Sequence, residues 1–206
     1  MKITKKDLDE NNFYKEDGID TEEPIEIDEN LFYVKFKKSV KTTSYIFAKA
    51  GTGIEAGWGI KAGWGIKAGE GIEAGTGIEA GEGIEAGTGI EAGTGIKAGW
   101  GIKAGWGIEA GWGIEAGEGI EAGEGIEAGE GIKAGWGIKA GTGIEAGEGI
   151  KAGWGIITFF GNIIAKFISC LRICVGFNST EEYTIEAEIR KGQVVLGKVV
   201  KRVDKK

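Results

Sequence analysis

The 206-residue chain has no histidine, a single proline, a single methionine and two cysteines. Without histidine it lacks the usual neutral-pH general base, the commonest metal ligand and every triad built on an imidazole. The two thiols, Cys170 and Cys174, stand four apart. They are too few for a disulfide framework or a zinc site and read as small buried apolar residues. No apolar run follows the charges of residues 1–10, MKITKKDLDE, so a signal peptide is not expected and a cytoplasmic setting is. The longest apolar stretch, residues 156–177, is broken by Lys166 and Arg172, which argues against a membrane-spanning helix.

Glycine, by contrast, is abundant. Of 41 glycines, 36 fall between Gly51 and Gly155, in the unit Gly–x–Gly–Ile–z–Ala. Isoleucine recurs at every sixth position from Ile54 to Ile156, eighteen times. The x position holds only Trp, Thr or Glu, and z only Lys or Glu until Ile157 ends the pattern. Repetition this strict takes precedence over any local propensity.

A six-residue period matches neither an α-helix nor a long strand. It matches one side of a coil: a short extended piece with Ile and Ala pointing inward and z outward, then a bend eased by glycine. Glutamate cannot point into a narrow core, so the bend must swing x outward as well.

Charge patterning gives the number of sides. With three units, or 18 residues, per coil, one outward column reads Glu55, Glu73, Glu91, Glu109, Glu127, Glu145. The second reads Lys61, Glu79, Lys97, Glu115, Lys133, Lys151, and the third Lys67, Glu85, Lys103, Glu121, Lys139. Two columns thus alternate in sign almost throughout, at the ~4.8 Å spacing of neighbouring strands, where opposite charges help and like charges hurt by a few tenths of a kcal/mol up to about 1. A two-sided, 12-residue coil gives a poorer alternation. The fold expected is therefore an all-β solenoid, a short-coil parallel β-helix with three sides and 18 residues per turn, flanked by small α/β caps. The repeat alone would make six coils, about 29 Å tall.

The repeat resembles the left-handed parallel β-helix of hexapeptide repeats. That family includes acyltransferases and carbonic anhydrases, usually trimers with catalytic or zinc-binding histidines between subunits. The family pattern has a small residue two positions before the aliphatic one; here Ala56, Ala62 and Ala68 lie two after it. With no histidine in the chain, the resemblance carries architecture and no chemistry. A second geometry is packed polyproline-II helices, resembling glycine-rich antifreeze bundles, because every third residue from Gly53 is Gly or Ala.

Three segments follow. Residues 1–50 form an N-terminal capping or docking piece, with a short helix near Lys5–Asp9 and strands over residues 25–44. Residues 51–156 form the solenoid. Residues 157–206 form a C-terminal cap: an amphipathic helix over residues 162–175, with Ile164, Phe167, Ile168, Leu171 and Val175 on one face, then a β-hairpin turning at Lys191–Gly192. The segments carry net charges of −2, −9 and +4. The large surface is acidic, so direct nucleic-acid binding is not expected.

The unpaired glutamate column, flanked by Glu70, Glu124, Glu130 and Glu148, is the feature that works against stability. It reads as either a solvated face or a stripe that docks a basic protein surface, as an inhibitor or decoy of a nucleic-acid-processing host protein of phage or mobile-element type. The seven tryptophans, Trp58, Trp64, Trp100, Trp106, Trp112, Trp136 and Trp154, all lie at x. Exposed there, they point to a homo-oligomer interface. Alternatives are a structural self-assembling repeat and an ice-binding surface, for which Thr52, Thr76, Thr88, Thr94 and Thr142 form no unbroken column. No catalytic residue, metal ligand or cofactor is expected, nor enzymatic activity.

Overall fold

A computed structural model describes residues 1–176 and 183–200. It is a three-sided parallel β-helix of about ten coils. In the repeat each Ile–z–Ala triplet is a strand paired with the triplet eighteen residues away: Ile72, Glu73 and Ala74 stand over Ile54, Glu55 and Ala56 and under Ile90, Glu91 and Ala92. Every repeat isoleucine and alanine is buried and fills the narrow core. Each z side chain points outward.

The corners hold the coils as firmly as the strands do. The N–H of Gly75 donates to the Ala56 carbonyl at 2.9 Å, that of Thr76 to Trp58 at 3.1 Å, and that of Ile78 to Gly95 in the coil above at 3.0 Å. Backbone polar groups at the bends are thus paired between coils, as buried backbone requires.

The two glycines of each unit are not equivalent. A Cβ on Gly99 would lie 1.9 Å from the carbonyl oxygen of Gly81 one coil below. On Gly101 it would meet nothing closer than 3.4 Å. Close approach between stacked corners therefore dictates the first glycine. Left-handed backbone occurs in the repeat only at Gly51, with φ 68°.

The coil continues beyond the repeat in both directions. Inward–outward–inward triplets before it stack in register: Ile25–Ile27 on Ile46–Ala48, Val40–Thr42 on Ile60–Ala62, and Val34–Phe36 on Ile54–Ala56. Their turns are wider, since Ile25 pairs with Ile46 and Ile46 with Ile66, against eighteen residues in the repeat. The helical turn expected near residue 5 is a 3-10 turn over Lys5–Asp7. Tyr14 packs on Phe36 at the first coil, ring centroids 5.5 Å apart. Thr52 is the one x residue of the repeat that is buried: its hydroxyl donates to the Asp28 carbonyl at 2.8 Å and accepts from the Leu31 N–H at 3.0 Å.

The expected C-terminal helix is a strand. Residues Ile163–Cys174 run along all three sides, pairing with Glu145, Lys151 and Ile157 of the coil below through Ile164, Ser169 and Cys174. The inward pairs Ile163/Ala165, Ile168/Cys170 and Ile173/Val175 recur every five residues. Ile164, Phe167, Ile168, Leu171 and Val175 would share one face at helical spacing, but the open edge below supplies strand partners for the five-residue step instead, and β-branched residues favour the strand. The expected hairpin is also replaced. Thr184–Leu196 stacks parallel on this strand, with Ile185, Ile189 and Val194 over Ile163, Ile168 and Ile173, and Lys198–Val200 stacks parallel on it in turn. Residues 201–203 of that expected hairpin lie outside the described residues.

The steric asymmetry of the corner glycines is testable. Gly99→Ala should lower stability by about 2 kcal/mol or more through overpacking against backbone. Gly101→Ala should leave stability unchanged or raise it by up to about 1 kcal/mol through the unfolded chain. Chemical denaturation of the two variants side by side measures both; equal effects would contradict the stacked corner.

Candidate functional site

Each side of the prism carries a furrow floored by the second glycine of the unit, with x side chains as one wall and z side chains as the other. The three furrows differ in chemistry.

On the acidic side, Glu55, Glu73, Glu91, Glu109, Glu127 and Glu145 stand in one unbroken register. The column begins at Lys35, whose ammonium pairs with Glu55 at 2.8 Å, and ends at Ile164. Among the described residues, Glu73 to Glu145 have no cation within 4.0 Å. Thr88, Trp106, Glu124 and Thr142 form the opposite wall of a furrow of about 660 Å³. Tyr33 lies on its floor: a Cβ at Gly71 would come within 2.1 Å of the Tyr33 hydroxyl. Burial, and then the Glu73 charge, push that hydroxyl above the usual phenol range. Of the flanking glutamates, Glu148 is neutralised by an ion pair with Lys166.

On the second side the charges alternate and pair as far as Lys133, which stands in register with Lys151. Lys61 reaches Glu79 at 3.1 Å and Lys133 reaches Glu115 at 2.8 Å. Hydrogen bonding from Lys133 holds the Glu115 carboxyl below its ordinary range. At the far end Phe167 lies on the glycine floor, 2.3 Å from a Cβ built on Gly149, and the Arg190 guanidinium stacks on its ring at 4.0 Å. A glycine floor therefore accepts a flat aromatic ring, here as at Tyr33.

The third side is aromatic. Trp64, Glu82, Trp100, Glu118, Trp136 and Trp154 form its corner, each x N–H donating to the x carbonyl one coil below. The other wall carries Lys67–Glu85 at 3.1 Å and Glu121–Lys139 at 2.7 Å. Tyr45 and Phe47 extend the furrow at one end, and Leu171 and Val195 at the other, giving an open volume of about 1620 Å³. The tryptophans are 56–72% exposed, far more than core aromatics.

The structure thus gathers all six column glutamates into one face. It divides the seven tryptophans. Trp64, Trp100, Trp136 and Trp154 share the third corner, Trp58 and Trp112 the second, and Trp106 stands alone beside the glutamates. The floor aromatics Tyr33 and Phe167 escaped sequence reading because they lie outside the strict repeat, and only stacking shows which glycines they cover.

Cys170 occupies an alanine-like inward position, and burial pushes its thiol up to about 11. Among the described residues no cluster of three or more His, Cys, Asp or Glu is placed to hold a metal ion, and no helix is long and apolar enough to cross a membrane. No family model matches the sequence, and no curated protein or solved structure matches the chain.

The faces predict opposite responses to neutralisation. Hydrogen bonding from Lys139 holds the Glu121 carboxyl low, so this pair stabilises above the ordinary carboxylate range and its contribution is lost as pH falls through the lowered value. Glu121→Gln should cost about 0.2–1 kcal/mol at pH 7, as expected for a half-exposed pair, and nothing in acid. Glu109→Gln should instead raise stability by a few tenths of a kcal/mol at pH 7, or roughly that, by breaking a like-charge stack. Thermal melts in low salt read both, and added salt should shrink both effects.

Proposed function

We propose that the chain is a non-enzymatic protein-binding rod whose acidic face docks on a basic protein surface, acting as an inhibitor or decoy of a nucleic-acid-processing host protein. The observation that carries this reading is the contrast between faces. The second and third columns interleave lysines that neutralise their glutamates, whereas the first keeps five successive carboxylates without a cation partner among the described residues. A folded chain that retains a whole row of repulsive contacts, while interleaving opposite charges along most of its other two sides, has that charge available for a partner.

The row offers one charge per ~4.8 Å, fixed by strand spacing, against about 3.4 Å per phosphate along one DNA strand. It is thus a sparse, rigid anionic line suited to lysine and arginine side chains set along a groove. Straightness costs nothing on binding, because the backbone is already ordered. Glu70 and Glu124 on the same furrow widen the line to two charges at two of its coils. The partner in this reading is a basic protein surface, and the setting is the cytoplasm, in keeping with the free thiols Cys170 and Cys174.

The test is a comparison of the full chain with a variant carrying Gln at residues 55, 73, 91, 109, 127 and 145. Affinity capture from a lysate of the native host, followed by titration of the captured protein, should show binding weakened about 100-fold or more in the variant and a steep salt dependence only in the original. Capture that is equal for both chains, at equal salt sensitivity, would remove the acidic face from the function.

A further inference from the structure

The third face alternates in chemistry from coil to coil. A coil presenting Trp and Lys is followed by one presenting two glutamates: Trp100 and Lys103 lie directly below Glu118 and Glu121. The alternation extends down through Glu82 and Glu85 and up through Trp136 and Lys139. Both ends of the face turn apolar, at Tyr45 and Phe47 below and at Trp154 and Ile157 above.

Such a face is complementary to itself when reversed. Place a two-fold axis in the plane of contact, perpendicular to the solenoid, between the coils of Lys103 and Glu121. The rotation keeps corner against corner and strand against strand but reverses the coil order. Lys103 then meets Glu121 of the second copy, and Lys139 meets Glu85. At the corner Trp100 meets Glu118 and Trp64 meets Trp154. The outer coils set Tyr45 and Phe47 against Leu171 and Cys174. Every like-charge contact is avoided. With the axis along the solenoid instead, coils pair with their own kind and Glu82 meets Glu85 of the other copy.

We infer that this face is the interface of an antiparallel homodimer in that register. Isologous two-fold contact is the usual mode of soluble homo-oligomers, and its patch must match itself in this way. Eight coils give a face of roughly 34 Å by 20 Å, about 700 Å² from each copy, close to the ~800 Å² per partner of a standard interface. Exposed tryptophans line one edge of it, with Trp100 beside the axis, and tryptophan is among the residue types that dominate binding energy in such contacts. The inference stands apart from the acidic-face reading, because that column points away from the contact and stays exposed on both copies.

Sedimentation velocity of the full chain over about 0.5–100 μM, a range that brackets micromolar affinity, should show the mass rise from 21.7 kDa to twice that value. Lys103→Glu should weaken the dimer about tenfold or more, by setting carboxylate against carboxylate, and Glu121→Lys likewise. The double variant K103E/E121K should regain most of the lost affinity, since the two positions face each other. Folding of each variant is checked by its circular dichroism and melting curve; the acidic face shows that a column of stacked glutamates is tolerated. A chain that stays monomeric throughout overturns the inference and leaves the furrow to a partner of other chemistry. A dimer indifferent to Lys103→Glu, or a double variant no better than either single one, overturns it equally.

Discussion

The structure rests on the contact between stacked glycine corners. Where the first glycine of each unit passes over the one below, carbonyl oxygen lies where a side chain would begin, and neighbouring N–H and C=O groups pair between coils. This contact sets the strand spacing at the bends as well as on the sides. It leaves no hinge between faces. The core can then be uniform, with three isoleucines and three alanines per coil, because shape is set by the backbone and not by interlocking large side chains. Where the glycines stop, the coils widen or change step, as they do before Gly51 and after Gly155.

A rigid triangular core separates structure from surface. Inward positions are fixed as Ile and Ala, while x and z are free to vary in charge and size without disturbing the fold. Three different surfaces therefore coexist on one frame: a line of carboxylates, a ladder of neutralised pairs and an aromatic furrow. Each furrow is floored by glycine, and the rings of Tyr33 and Phe167 show how closely a planar group can approach that floor. A charge at a z position adds to its column in register with its neighbours, so electrostatic character accumulates along an entire side.

Much of this was legible in the sequence because the repeat is so strict. The alternation of Lys61 with Glu79 and of Lys67 with Glu85 indicated an 18-residue coil, and those pairs are ion pairs one coil apart. The outward tryptophans followed from glutamate sharing their position. The flanks were harder to read. Before the repeat, triplets such as Ile25–Ile27 and Val40–Thr42 already carry the inward pair, but turns of irregular length hide the period. After it, Ile164, Phe167, Ile168, Leu171 and Val175 share a helix-like face that masks the five-residue step of Ile163, Ile168 and Ile173, and only the strand edge beneath decides between the two. The partition of the tryptophans among three corners follows from the coil length, yet their extension by Tyr45, Leu171 and Val195 depends on stacking across irregular turns.

A closed three-sided coil makes position on the surface a matter of counting. Loss or gain of a single hexamer by slippage in the repetitive gene would leave core and corners intact, yet rotate every later residue onto the next face. Glu109, Glu127 and Glu145 would then continue a different column, and both the carboxylate line and the aromatic face would be scrambled without unfolding anything. Three hexamers keep the columns, and six also preserve the coil-to-coil alternation of the third face. Lengths that vary among descendants of such a gene are therefore expected to be quantised, in steps of eighteen residues where only the acidic line matters and thirty-six where the aromatic face matters too.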